Sequence, residues 1–178
     1  MIKLRDGRRC NLNIFDILDN DNWEANCDDD STDVLLLTYC VDQDVSYNNL
    51  FLRCNALKKK KISGKFHSKV LIVGTKADRG KFREVPQGSG EKLVKKFDLD
   101  GSIECSALSG YNVNKLFEET IKLALQKHNE DCEQGGTDGG SGTSENNESQ
   151  RTHDTQNDIN QTVVYVDNGQ LCPCCTIV

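Results

Sequence analysis

Two short stretches of uninterrupted apolar residues constrain this fold more than anything else in the chain. DVLLLTYCV (33–41) and KVLIVGT (69–75) are short, rich in branched residues and apolar at successive positions. A strand that turns apolar side chains to both faces must be covered on both faces, which is the signature of a parallel sheet flanked by helices. Between them, VSYNNLFLRCNALKKKK (45–61) places Leu50, Cys54 and Leu57 on one stripe at helical spacing. GSGEKLVKKFDLD (88–100) predicts a shorter helix, and GSIECSAL (101–108) a third parallel strand ending in small residues. NVNKLFEETIKLALQKHN (112–129) carries the clearest helical period, through Val113, Leu116, Phe117, Ile121 and Ala124. At the start, Asp6-Gly7 separates two alternating runs within IKLRDGRRCNLNIFDI, which predicts a hairpin. The order after the hairpin, strand and helix three times over, means an α/β domain with crossover helices.

Charge divides the chain. Residues 1–128 carry a net of +2 and residues 129–178 a net of −8, within a total of −6. From Gln134 to Gln161 the side chains are almost all small or polar, and such a stretch cannot bury enough to offset the entropy of ordering. The expected organisation is a folded domain at 1–128, a disordered acidic linker at 129–171 and a cysteine-rich end at 172–178. A net acidic chain argues against nucleic acid as partner. The sequence shows neither an 18-residue apolar run nor a signal peptide, and its nine cysteines, an odd and mostly scattered set, read as reduced cytosolic thiols. Lys58–Lys61 close a helix, where the dipole favours cations on a solvated face.

Two of the strands end in residues that a core does not need: Thr75, Lys76 and Asp78 after one, and Ser106, Ala107 and Leu108 after the other. Ligands bind at such strand ends in open α/β sheets. A Lys and an Asp after a strand are, taken singly, ordinary solvated loop residues. In this order and context they resemble the guanine-binding motifs of Ras-superfamily small GTPases. The Thr-Lys-x-Asp form, "ECSAL" and the Pro86-Gln87-Gly88 stretch are similar to the Rho/Rac branch. The resemblance covers about residues 2–127 and implies a three-layer G-domain of the P-loop-NTPase kind. It also implies guanine nucleotide and magnesium as cofactors and a place in membrane-linked signal transduction with signalling proteins as partners. It gives each residue a role. Asp78 accepts the two adjacent donors of the guanine edge, the Ala107 N–H donates to the guanine oxygen, and the Lys76 stem lies along the base with its ammonium toward the ribose.

The phosphate half of that resemblance is missing. Phosphate binding needs Gly-x-x-x-x-Gly-Lys-Ser/Thr at a helix start, and the 178 residues contain no such pattern. Family members carry it on their first strand, so this sequence starts, by the resemblance, at the second strand and is expected to be an N-terminally truncated G-domain. Within NLNIFDILDNDNW (11–23), Asp16 keeps a family Asp, whereas Asp19 stands where the family has Gly and Asn20 where it has the Gln that orients the attacking water. These three form a degenerate switch. A missing central strand would leave two rows of unpaired backbone groups, so the alternatives are a truncated product or a sheet that closes differently. Two charge-assisted bonds to Asp78 contribute about 1.5–3 kcal/mol each, against an association cost of ~4–15 kcal/mol. Guanine nucleotide is therefore expected to bind at about millimolar or weaker. GTP hydrolysis is not expected.

The last four residues, Cys175-Thr176-Ile177-Val178, fit the C-a-a-X prenylation pattern. One lipid anchors only marginally, and the acidic tail is repelled by anionic headgroups, so a second signal is expected from acylation of Cys172 or Cys174. A metal site formed by these cysteines lacks a fourth ligand. The expected location is the cytoplasmic face of the plasma membrane or of internal membranes. The expectation is thus a Rho/Ras-like small GTPase homologue. Its alternatives are a lipid-anchored pseudo-GTPase interaction protein and an incomplete form of an active switch.

Overall fold

The computed structural model describes residues 2–3, 9–10, 12–17, 32–134 and 162–167. Strands β1 (Ile2–Lys3) and β2 (Arg9–Cys10) pair antiparallel, Ile2 opposite Cys10, as the turn signal between them predicts. The chain then alternates as β3 (Leu12–Ile17), β4 (Val34–Cys40), α1 (Asp44–Ile62), β5 (Lys69–Thr75), α2 (Ser89–Phe97), β6 (Gly101–Glu104), α3 (Val113–Gln134) and β7 (Thr162–Asp167). Strands β3 to β7 form one sheet in the order β3-β7-β4-β5-β6, with every pair parallel.

The continuous apolar runs have the cause expected of them. Leu35, Leu37, Val70 and Ile72 point to one face, where they pack with Leu50, Cys54 and Leu57 of α1 and Leu93 and Phe97 of α2. Their chain neighbours Val34, Leu36, Leu71 and Val73 point to the other face and pack with Leu116, Leu123 and Ala124 of α3. The period of two along each strand thus divides one apolar run between two cores. All three residues of the α1 stripe are buried; on α3, Leu116, Ile121 and Ala124 are buried, whereas Val113 and Phe117 are half-buried. The α/β/α layering is that of a G-domain.

The layering also follows from handedness. The crossovers β4-α1-β5 and β5-α2-β6 step in one direction across the sheet, and both helices lie on one face. From β6 the chain must step back past β5 and β4 to reach β7, and right-handedness then requires its helix on the opposite face. That face is where α3 packs.

Two expectations need correction. The predicted third strand ends at Glu104, not Leu108: the Cys105 N–H still bonds the Gly74 carbonyl of β5 at 2.8 Å, but the Ser106 N–H turns away to the Tyr111 carbonyl at 3.0 Å. The stretch 129–171 is not an unbroken linker: α3 runs on to Gln134, and Thr162–Asp167 is a strand with partners on both sides. Beside β4, where the sequence allows a truncated product or a sheet that closes differently, the sheet holds β7.

Candidate functional site

β4 and β5 end level, Cys40 opposite Thr75, and β6 ends one step lower, Glu104 opposite Gly74. The two motif loops therefore leave the sheet side by side. Thr75 is turned inward, its hydroxyl donating to the Tyr39 carbonyl at 2.9 Å. Lys76 reverses the chain with a left-handed backbone, φ 59°, a conformation that costs a non-glycine residue energy and marks turns and functional sites. A 3-10 turn over Ala77–Phe82 follows, opened by the Arg79 N–H to the Lys76 carbonyl at 2.9 Å.

The loops are bonded to each other. The Ala77 N–H donates to the Cys105 carbonyl at 3.1 Å, and the Ser106 hydroxyl donates to Asp78 Oδ1 at 2.5 Å. Ser106 is fully buried; its oxygen also accepts from the Ser109 N–H at 3.1 Å, and its own N–H donates to the Tyr111 carbonyl at 3.0 Å. A hydroxyl fixed in this way holds one carboxylate oxygen of Asp78, while Asp78 as a whole is exposed. Ala107 and Leu108 are exposed beside it, Leu108 at 87%. The structure thus gathers Lys76, Asp78, Ser106, Ala107 and Leu108 at one edge of the sheet, as the sequence predicts. Beneath them burial pushes the Cys105 thiol up to about 11 and leaves it neutral and inert.

Two features of the site were not legible in the sequence. Asp42, just past β4, lies 3.5 Å from the Lys76 ammonium and 3.4 Å from Arg79 Nε. It draws the Lys76 head toward the chain just past β4. Below, Arg83 grips Glu104 with both arms at 3.0 and 2.7 Å, and Tyr39 Oη reaches Glu104 at 3.5 Å. That hydrogen bonding raises the Arg83 pKa, and burial raises that of Tyr39. The triad ties the loop after the 3-10 turn to β6 and β4. Spacing gives no clue to it, since the partners are 21 and 65 residues apart.

The donor set fits a guanine base. One oriented, exposed carboxylate beside a lysine stem accepts two adjacent N–H donors, and an adenine edge does not offer that pair. The 178 residues contain no Gly-x-x-x-x-Gly-Lys-Ser/Thr pattern, and among the described residues no cluster of His, Cys, Asp or Glu is arranged to hold a metal ion. Asp16, read from the sequence as part of a degenerate switch, lies on β3 opposite Val166. Asp19, Asn20, Cys172, Cys174 and Cys175 lie outside the described residues.

Comparisons with known proteins agree with this geometry. The chain is 29% identical over 94 residues to mouse Ras-like protein family member 10A, a match covering 53% of this chain and 46% of that protein. It is 32% identical over 92 residues to GTP-binding protein drn-1 of Caenorhabditis elegans, covering 52% and 41%, and 31% identical over 119 residues to Ras-like protein rasB of Dictyostelium discoideum, covering 64% and 57%. The chain thus spans about half the length of these curated relatives. The family model described as the Ras family matches residues 2–126, the stretch that holds both bonded loops and the strands that end in them, and the chain belongs to that family.

Proposed function

We propose that this chain is a Rho-like member of the family that keeps the guanine-reading edge without a nucleotide cycle of its own and acts on membranes through a lipidated C-terminus. One observation carries the guanine reading. The fully buried Ser106 hydroxyl holds the exposed Asp78 carboxylate at the joint between the two motif loops. The Thr75-Lys76-x-Asp78 form and Pro86-Gln87-Gly88 support the Rho/Rac placement; Gly88 takes φ 79° to turn the chain into α2. The worm relative's name, a GTP-binding protein, supports the base assignment. Cys175-Thr176-Ile177-Val178, with Cys172 and Cys174, supports the anchor.

Ligand-detected NMR at millimolar nucleotide tests this reading. GDP saturates and ADP does not, and Asp78→Ala abolishes the difference; equal saturation by both nucleotides refutes the assignment. Calorimetry with magnesium and GTP tests the missing cycle, and a submicromolar dissociation constant refutes it. A second reading, an active switch, is favoured by the intact base-reading edge; it requires a Gly-Lys-Ser/Thr loop encoded in frame with this sequence, and the transcript decides between them.

A further inference from the structure

The sheet has an unusual dependency. β3 pairs with β7 over six positions, Leu12 to Ile17, and β7 pairs in turn with β4 from Val34 to Leu37. Among the described residues, β3 therefore pairs into the sheet through a strand that begins 145 residues after its own last residue, Ile17.

We propose that Thr162–Asp167 is a returning strand, supplied by this chain's own C-terminal segment, that joins the N-terminal strand to the β4–β6 sheet and ties the cysteine-rich end to the guanine-reading edge. Chain geometry makes the return local. The last turns of α3 are pinned at the edge where the parallel strands begin. Lys127 donates to the Thr32 carbonyl at 2.8 Å, His128 lies 3.2 Å from Asp33, and Glu130 takes the ammonium of Lys69, the first residue of β5, at 2.8 Å. β7 enters at the same edge, Val164 opposite Val34. The 27 residues between Gln134 and Thr162 need only join two points on one side of the sheet, and extended they would span over about 80 Å. The return keeps right-handed crossover geometry, with α3 on the face that handedness requires. The segment itself, Thr-Val-Val-Tyr-Val-Asp, has the branched and aromatic composition of a central strand.

A consequence follows for the C-terminus. β7 runs parallel to β5, so Asp167 points the chain toward the edge that carries Asp78 and Ser106. The eight residues from there to Cys175 reach at most about 29 Å. The polar stretch before β7 then has both ends fastened to the domain and does not separate domain from anchor. This consequence, unlike the strand itself, rests on the lipid reading.

Trypsin distinguishes the arrangements, because Arg151 is the only Lys or Arg after Lys127. Limited digestion of the full chain, with the cut identified by mass and lost in Arg151→Gln, yields 1–151 and 152–178. The two are expected to co-elute in native gel filtration at the mass of one chain and to separate in denaturant. Separation without denaturant, or elution at the mass of two chains, overturns the proposal. Tyr165→Pro removes an N–H from the strand between Phe15 and Leu35 and is expected to release the nicked fragment. Because this variant also tests the fold itself, hydrogen exchange on the unaltered chain provides a second measure. Amides of 162–167 are expected to exchange as slowly as those of 69–75, and exchange as fast as at 140–155 overturns the proposal. On membranes isolated from cells, the nicked 1–151 fragment is expected to stay sedimented, and its release overturns the placement of the anchor. Uncut chain already in the supernatant would instead count against lipidation and leave the strand to the solution result.

Discussion

At Gly74 the sheet leaves no room for a methyl group: a Cβ there would sit 2.8 Å from Tyr39 Oη and 2.9 Å from Glu104 Cγ. Both neighbours are held, Tyr39 by burial and Glu104 by Arg83, so neither can yield cheaply. Gly74→Ala is expected to destabilise the domain by about 1–3 kcal/mol, the usual cost of overpacking a filled core, read as a lower urea midpoint with the same slope. An unchanged midpoint would mean the Tyr39 ring moves aside freely. Asp78 and Ser106 were readable as a pair in the sequence because each follows a stretch read as a parallel strand, KVLIVGT before one and GSIE before the other. Asp42 was not, since an aspartate after a strand is ordinary until the fold brings Lys76 to it.

At the scale of elements, what the sequence disclosed depended on range. The helices α1 and α3 were legible because Leu50, Cys54 and Leu57, or Leu116, Ile121 and Ala124, recur within a few turns and need no distant partner to show their period. β7 was missed although Thr-Val-Val-Tyr-Val is a fair strand signal. A long polar approach lowered its weight, and its two partners lie more than a hundred residues upstream. The Arg83–Glu104–Tyr39 triad escaped for the same reason. Its worth is measurable. Arg83 and Glu104 are each about four-fifths buried at their side chains and bond in two places. Glu104→Gln keeps the shape but deprives the guanidinium of its anion, with an expected loss of about 1–3 kcal/mol. Chemical denaturation reads that loss directly. No loss would show that the pair only breaks even against its desolvation, as some buried pairs do.

For the whole molecule, the proposed lipid anchor makes the charge division matter. On that proposal residues 129–178 add repulsion from an anionic leaflet, so prenylation alone would hold the chain loosely and two lipids would be needed. Cys175→Ser is expected to leave the protein in the supernatant of fractionated cells, and Cys172→Ser with Cys174→Ser to leave it loosely held on internal membranes. Firm sedimentation of Cys175→Ser would show that a protein contact, not a lipid, holds the chain. The last prediction concerns the fold as a unit. Burial raises the Cys54 thiol from an ordinary 9.0 to about 12 and the Cys105 thiol from 9.0 to about 11, since neither thiolate can be solvated there. Groups whose folded pKa is raised contribute stability that is fully present below the unfolded value and is lost as pH climbs toward the folded one. Between pH 9 and 11 the unfolded chain therefore sheds protons that the folded chain keeps, and each thiol lowers stability by at most about 1.4 kcal/mol per pH unit. Lysines and tyrosines also titrate there, so the informative quantity is a difference in slope. Cys54→Val and Cys105→Ala are each expected to flatten the fall of unfolding free energy between pH 9 and 11 by up to one proton, even though each costs stability at neutral pH. If either variant leaves that slope unchanged, the thiol it removes ionises in the folded state as readily as in water, and the core around it is open to solvent.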